Sequence, residues 1–236
     1  YKITETLLGI VSEYDGDCKV AFNSREDGLC AGRQSTDNIK IESKKDKPGL
    51  ESHIKPGTKG EKVFIPACVT RGNIDDLVYN DFFVGEGADV TIIAGCGVHS
   101  DDEEEARHNG IHRFFLEKGA RVKYIEKHVG TGKGAGIRSI DPVTECFLKE
   151  DAVLEMDTSQ IGGVDRTTRK TRATLEKSAK LVIRERLLTE GKQQAHTDCE
   201  VTMNGAGPST DLVSRSVARG DSYTAHRGEI PGHATR

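Results

Sequence analysis

Apolar and polar residues alternate with a period of two in several segments of this chain. Asn38-Ile39-Lys40-Ile41-Glu42-Ser43 is one, as expected of a strand with one buried face. From Lys62-Val63-Phe64-Ile65-Pro66 onward such segments become frequent. Residues 1–60 read instead as a lead-in of short strands and irregular chain. Turn and solvent signals break it at Tyr14-Asp15-Gly16-Asp17, from Asn23 to Gly28, and from Ser43 to Gly49. Residues 61–236 read as the core. Helix signals are scarce. Asp101–His108 is acidic and loop-like, and Val143–Leu148 fits a strand as well as a helix.

The core carries an imperfect repeat. Asp81 to Ile92 lies over Arg113 to Tyr124 without a gap, and the same shape returns at Cys146–Leu154, at Ala173–Val182 and less cleanly at Ser216–Tyr223. Each unit is a strand, a tight polar corner and a second strand. The corner is held by Gly87, Gly119, Asp151, Ser178 and Gly220, residues that reach positive φ or cap a turn with their own side chain. Ala follows it at four of the five, small enough to tuck under a bend. Corner spacing varies, so loops such as Gly130–Gly136 must absorb the difference. One such unit cannot bury its apolar side alone, whereas stacked units share an interior and pair their backbones. An all-β solenoid, the parallel β-helix, is the expected fold. In an antiparallel β-sandwich, the rival arrangement, the same corners would be hairpin turns.

Composition narrows the partners. Apolar residues make up 35% of the chain and charged residues 31%, with no Trp and 5% aromatics, so the core must be built from Val, Ile, Leu and Ala. The 34 basic and 38 acidic residues are mixed along the chain, for a net charge of -4. No basic field is available for nucleic acid. The strongly apolar stretch Val90–Gly95 is far short of the roughly 20 residues of a membrane helix. Six scattered cysteines, at 18, 30, 68, 96, 146 and 199, form no CxxC pair, which points to reduced thiols in a cytoplasmic protein.

Several motifs carry candidate chemistry. The run Gly130–Gly136 has Lys127 and Gly134 where a phosphate loop needs Gly and Ser or Thr, and Ala135 breaks GxGxxG. No nucleotide site is expected in this chain. The run reads as a flexible connection between coils. Cys96 and His99 stand three apart at a strand end, as do His196 and Cys199 in a later segment. Thiolate and imidazole suit a borderline or soft metal, so these four are the candidate metal ligands. His108 and His112 are four apart, with Gly110 weakening any helix that would align them. Arg166, Arg169, Lys170, Arg172, Lys177 and Lys180 form a basic stretch, read as a charged outer face open to a docking partner. No strained elbow such as GxSxG marks a nucleophile, and no catalytic residue is assigned.

From about Val63 onward the chain resembles the SufB/SufD family of the SUF iron–sulfur cluster assembly machinery, in its short archaeal and bacterial forms. The resemblance lies in Leu77–Phe82, in Gly87–His99, in His108–Phe114 and in Gly205–Ser216. It implies a right-handed parallel β-helix that dimerises with a SufB- or SufD-type partner and works with the SufC ATPase. It also implies a scaffold on which a transient iron–sulfur cluster forms before transfer to apo iron–sulfur proteins. The family continues past the Gly228–His233 region into a strand carrying a Cys implicated in assembly, then into C-terminal helices. The resemblance therefore places the end of this chain before that helical segment, and leaves Cys96, His99, His196, Cys199 and His233 as the chemical candidates. The rival function is a β-helical hydrolase or lyase acting on a carbohydrate-like substrate.

Overall fold

The computed structural model describes residues 2–11 and 20–231. Cys18, His233 and the turn signal at 14–17 lie outside the described residues. Among the described residues a helix, α1 (Lys2–Val11), precedes seventeen strands. They are β1 (Ala21–Glu26), β2 (Leu29–Gln34), β3 (Ile39–Ser43), β4 (Gly49–Ile54), β5 (Lys59–Val69), β6 (Ile74–Val84), β7 (Asp89–His99), β8 (Ala106–Leu116) and β9 (Arg121–Thr131). Then follow β10 (Arg138–Ile140), β11 (Val143–Leu148), β12 (Val153–Gly162), β13 (Arg166–Leu175), β14 (Lys180–Thr189), β15 (Gln194–Met203), β16 (Ser209–Ala218) and β17 (Tyr223–Glu229).

The chain winds between two facing sheets. One runs β16-β14-β12-β9-β7-β5-β1-β2 and the other β17-β15-β13-β10-β8-β6-β4-β3. Within the coils every neighbour is parallel, and antiparallel pairing is confined to the β1–β2 and β3–β4 hairpins at the N-terminal edge. This is the parallel β-helix, with about 6 turns, and not the sandwich. The lead-in segment joins it: β1 pairs with β5, and β4 pairs with β6. The pieces β10 and β11 form one rung broken at Pro142, which has no N–H to donate; its carbonyl accepts from Lys170 N instead. The stretch Val143–Leu148 is thus strand.

The gapless repeat is a register. Asp81 stands beside Arg113 and Val84 beside Leu116, while Asp89 stands beside Arg121 and Ile92 beside Tyr124. Like layers result, such as Val84, Leu116, Leu148, Leu175 and Met203. The corners stack as well. Gly87 N donates to Lys118 O, Gly119 N to Glu150 O, Asp151 N to Lys177 O and Ser178 N to Ala206 O. All four corner residues have positive φ, between 56° at Ser178 and 67° at Gly119. The alanines that follow, Ala88, Ala120, Ala152 and Ala179, are fully buried.

The fifth corner differs from the sequence expectation. Gly220 joins β16 to β17 and so turns at the opposite edge, where it packs on Gly191. The column through Gly87 ends instead at Gly207, with φ of 76°. One extra residue between β15 and β16, with a second positive-φ glycine at Gly205, shifts that corner out of the repeat's frame.

The run Gly130–Gly136 is also more specific than a flexible connection. A Cβ on Gly132, Gly134 or Gly136 would fall about 2 Å from the carbonyl oxygen of Ser100, Asp102 or Glu104 respectively. The loop lies backbone to backbone on its predecessor, with Gly134 N donating to Ser100 O and Gly136 N to Asp102 O.

Helix α1, which falls in the stretch read from sequence as short strands and irregular chain, covers the outer face of the first sheet. Leu7 is fully buried among Cys68, Val129 and Gly97, a burial that contributes about 2 kcal/mol. A Cβ on Gly97 would sit 2.8 Å from Leu7 Cδ2, so the helix docks where the strand lacks a side chain.

Candidate functional site

Inward-facing positions divide the interior into lanes. Beside the Gly87 column, Val90, Ile92, Phe82, Phe114, Leu148, Leu154 and their neighbours make the main apolar core. At the opposite edge Val69, Cys96, Val98, Ala106, Ile140 and Val164 make a smaller one. Between them lies a polar lane. It contains Asp76 and Asn80 of β6, His108 and His112 of β8, Glu126 and His128 of β9, Arg169 of β13 and Glu185 of β14, each no more than 8% exposed. Strand periodicity places them there, because residues an even number apart on one strand share a face.

The lane holds two groups of hydrogen bonds and ion pairs, Arg25–Asp76–His108 and a longer one that runs from Asn80 and His112 to Glu185. At one end Arg25 donates to Asp76 at 2.8 Å, and Asp76 lies 3.0 Å from His108 Nδ1. Burial opposes ionisation of Asp76, but His108 and Arg25 outweigh it and hold its pKa at about 2. In the middle, Tyr124 donates its hydroxyl to Glu126, and His112 Nδ1 meets the same hydroxyl at 2.7 Å. His128 Nε2 stands 3.1 Å from Glu126. Arg169 then bridges two carboxylates, at 2.6 Å from Glu126 and 3.3 Å from Glu185. Burial would raise the Glu126 pKa; Arg169 and His128 together hold it well below the usual carboxylate range. Burial keeps His112 neutral, lowering its pKa to about 4. Glu185 also accepts from Thr197 and Ser214, each at 3.0 Å, which carries the chain of contacts to the last coils.

The four sequence candidates lie elsewhere and apart. Cys96 points inward, beside Ala67 and His128 on the neighbouring strands, whereas His99 sits on the outer face, 2.9 Å from Thr131 Oγ1 and 2.9 Å from Asp101. Cys199 is buried in the main core and His196 is exposed, its ring 5.5 Å from Tyr223. On a strand, residues three apart face opposite ways, so neither pair converges. Burial raises the thiol pKa of Cys96 far above its normal value and that of Cys199 to about 11. Both are thiols rather than thiolates. Among the described residues no three His, Cys, Asp or Glu side chains form a ready-made metal site. The five described cysteines are free, four of them buried and Cys30 exposed.

The basic stretch needs one correction. Arg166, Lys170 and Arg172 do face outward, but Arg169 faces in and is 4% exposed. Sequence reasoning gave no role to Asp76, Asn80, Glu126, His128 or Glu185. The signal that would have found them is even spacing within strands, as in Tyr124-x-Glu126-x-His128 and His108-x3-His112.

Comparison with known proteins places this architecture. Residues 79–234 match the model of the SUF system FeS cluster assembly SufBD core domain. An iron–sulfur cluster assembly SufBD family protein of Methanothermobacter thermautotrophicus strain Delta H is 26% identical over 184 residues, covering 75% of this chain and 43% of that protein. A SufBD family homologue in strain Winter is 25% identical over 183 residues, covering 75% and 42%. The chain thus spans less than half the length of these curated relatives.

Proposed function

Since this chain belongs to the SufBD core-domain family of the SUF iron–sulfur cluster assembly system, we propose that it is the β-helical part of a non-catalytic, cytoplasmic assembly scaffold. The observation that carries this reading is the continuous match from residue 79 to 234, which covers the coils from β6 onward. Iron and sulfide are its substrates, held as a transient cluster and passed to apo iron–sulfur proteins. A SufC-type ATPase supplies the conformational energy, as the chain carries no phosphate-loop pattern of its own.

Two features support a scaffold over a hydrolase or lyase. The interior carboxylates Asp76, Glu126 and Glu185 are each engaged by a cation and are 3% exposed or less, which leaves none of them free for acid–base work on a polysaccharide. The outer aromatics Phe83, Phe115 and Phe147 stack on one another at about 5 Å, so each ring covers the next and little of their faces is left to hold a sugar.

Anaerobic reconstitution of the full-length protein with iron and sulfide tests the reading. Labile iron and acid-labile sulfide retained together support it. Turnover of a polysaccharide with no iron retained would overturn it. Cys96→Ala and Cys199→Ala are expected to retain wild-type iron, because both thiols are buried away from any second ligand of their pair.

A further inference from the structure

The dipeptide Asn-Gly occurs at Asn109-Gly110 and again at Asn204-Gly205. In this dipeptide the main-chain nitrogen of the second residue can attack the side-chain amide of the first, because glycine has no Cβ to crowd its own nitrogen. The fold decides whether it does. The Asn must be free to leave the extended conformation, and water must reach the reacting atoms.

The two pairs stand in opposite surroundings. Asn109 and Gly110 lie in the middle of β8, beside Leu77 and Val78 of β6, with β10 and β11 along the other edge. Gly110 is buried, and Nε2 of His108 and of His112 lie 3.1 and 3.2 Å from where its Cβ would be. A parallel strand holds ψ near about +115°. Bringing Gly110 N onto Asn109 Cγ would turn that bond out of the extended range and break the rung.

Asn204 and Gly205 lie between β15 and β16, at the corner that carries the extra residue. Two ties hold this corner to the coil before it. Asn204 N donates to Leu175 O at 2.7 Å, and Ala206 O accepts from Ser178 N at 3.0 Å. Between those ties neither the Asn204 side chain nor the Gly205 N–H makes a hydrogen bond among the described residues. Gly205 is exposed, with φ of 72°, and Asn204 is half-buried. Nucleophile and electrophile are thus adjacent, uncommitted and wet.

We propose that Asn204 is a site of spontaneous covalent modification, converted through a succinimide to aspartate and isoaspartate, while Asn109 is spared. Gly205 N gives its proton to hydroxide and bonds to Asn204 Cγ. The Cγ–Nδ2 bond breaks, and the departing nitrogen takes a proton from water and leaves as ammonia. A second water opens the ring at either carbonyl. Opening at Cγ restores the ordinary main chain with an aspartate at 204. Opening at the main-chain carbonyl routes the chain through the side chain, with one extra main-chain atom. That atom falls between the two ties that set β16 against β14, so chemical ageing enters the solenoid at its last coil. The new carboxylate arrives near Lys177, whose Cβ lies 3.5 Å from where a Gly205 Cβ would be. The inference stands on these residues without the functional reading.

The test is incubation of the folded full chain in mildly alkaline buffer, followed by tryptic mapping of peptides 193–215 and 108–113, which hold the two sites. Isoaspartate is read by enzymatic methylation of the separated peptides. Peptide 193–215 is expected to gain one mass unit and accept methyl groups at least roughly tenfold faster than peptide 108–113, because Asn109 must wait for its strand to open. In urea the two peptides should convert at similar rates. Asn204→Gln, which would need a larger and slower-forming ring, should abolish methylation of peptide 193–215. An unchanged Asn204 in folded protein whose unfolded form converts would overturn the proposal. So would Asn109 keeping pace with Asn204 in the folded chain, or methylation of peptide 193–215 that survives in Asn204→Gln. Should that variant fail to fold, the comparison of the two wild-type peptides still decides.

Discussion

Arg169 Nη2 lies 2.6 Å from Glu126 Oε1, joining two strands of opposite sheets across the inside of the solenoid. Both side chains are 5% exposed or less, and Glu185 closes on the same guanidinium. Arg169→Ala removes the cation that two buried carboxylates depend on, at an expected cost of about 3–5 kcal/mol. Urea unfolding should show a lower midpoint with an unchanged slope. Charge reversal at its outward neighbours Arg166, Lys170 and Arg172 should move stability by less than about 1 kcal/mol. A mild effect of Arg169→Ala would contradict the interior placement.

A second buried ion group lies on the outer face. Asp81, 2% exposed, accepts from Lys44 at 2.7 Å and from Arg113 at 2.7 and 2.9 Å. Burial favours its neutral form, but Arg113 and Lys44 prevail and lower its pKa below the ordinary 3.8. A depressed carboxylate contributes stability that is complete above the unfolded value and disappears as pH falls through the folded one. Wild type should therefore lose stability more steeply below pH 3.8 than Asp81→Asn does. Parallel acid-unfolding curves for the two would refute the assignment.

Thiol reactivity follows burial. At pH 8 a thiol with the Cys199 pKa of about 11 is ionised in roughly one molecule in a thousand, and burial raises Cys68 to about 12. Cys96 and Cys146 are fully enclosed as well. Peptide mapping after alkylation of the native protein should find label on Cys30 and little on these four. Rapid labelling of Cys96 would show that the interior opens to solvent.

The solenoid was legible in the sequence because its corners are chemically constrained. Positive φ selects Gly at 87 and 119, with Asp151 and Ser178 tolerated, and each Ala behind them must fit beneath the bend. Gly220 misled because the opposite edge also turns through glycine, and the extra residue before Gly207 hides the true fifth corner. The polar lane was illegible for a different reason. Charged residues in strands are ordinarily solvated, and only the partners that arrive from other coils make Glu126, Arg169 and Glu185 tolerable inside. His108 and His112 looked misaligned on a helix, yet on a strand their spacing of four places both indoors. Spacing of three at Cys96–His99 and His196–Cys199 suggested convergence and guarantees the opposite.

The most direct measurement of the scaffold role is anaerobic affinity capture of the full-length protein with the SUF ATPase of its own organism, followed by iron and acid-labile sulfide analysis of the eluate. The account predicts a stoichiometric complex that holds both elements. Recovery of the protein alone, free of ATPase, iron and sulfide, would contradict it.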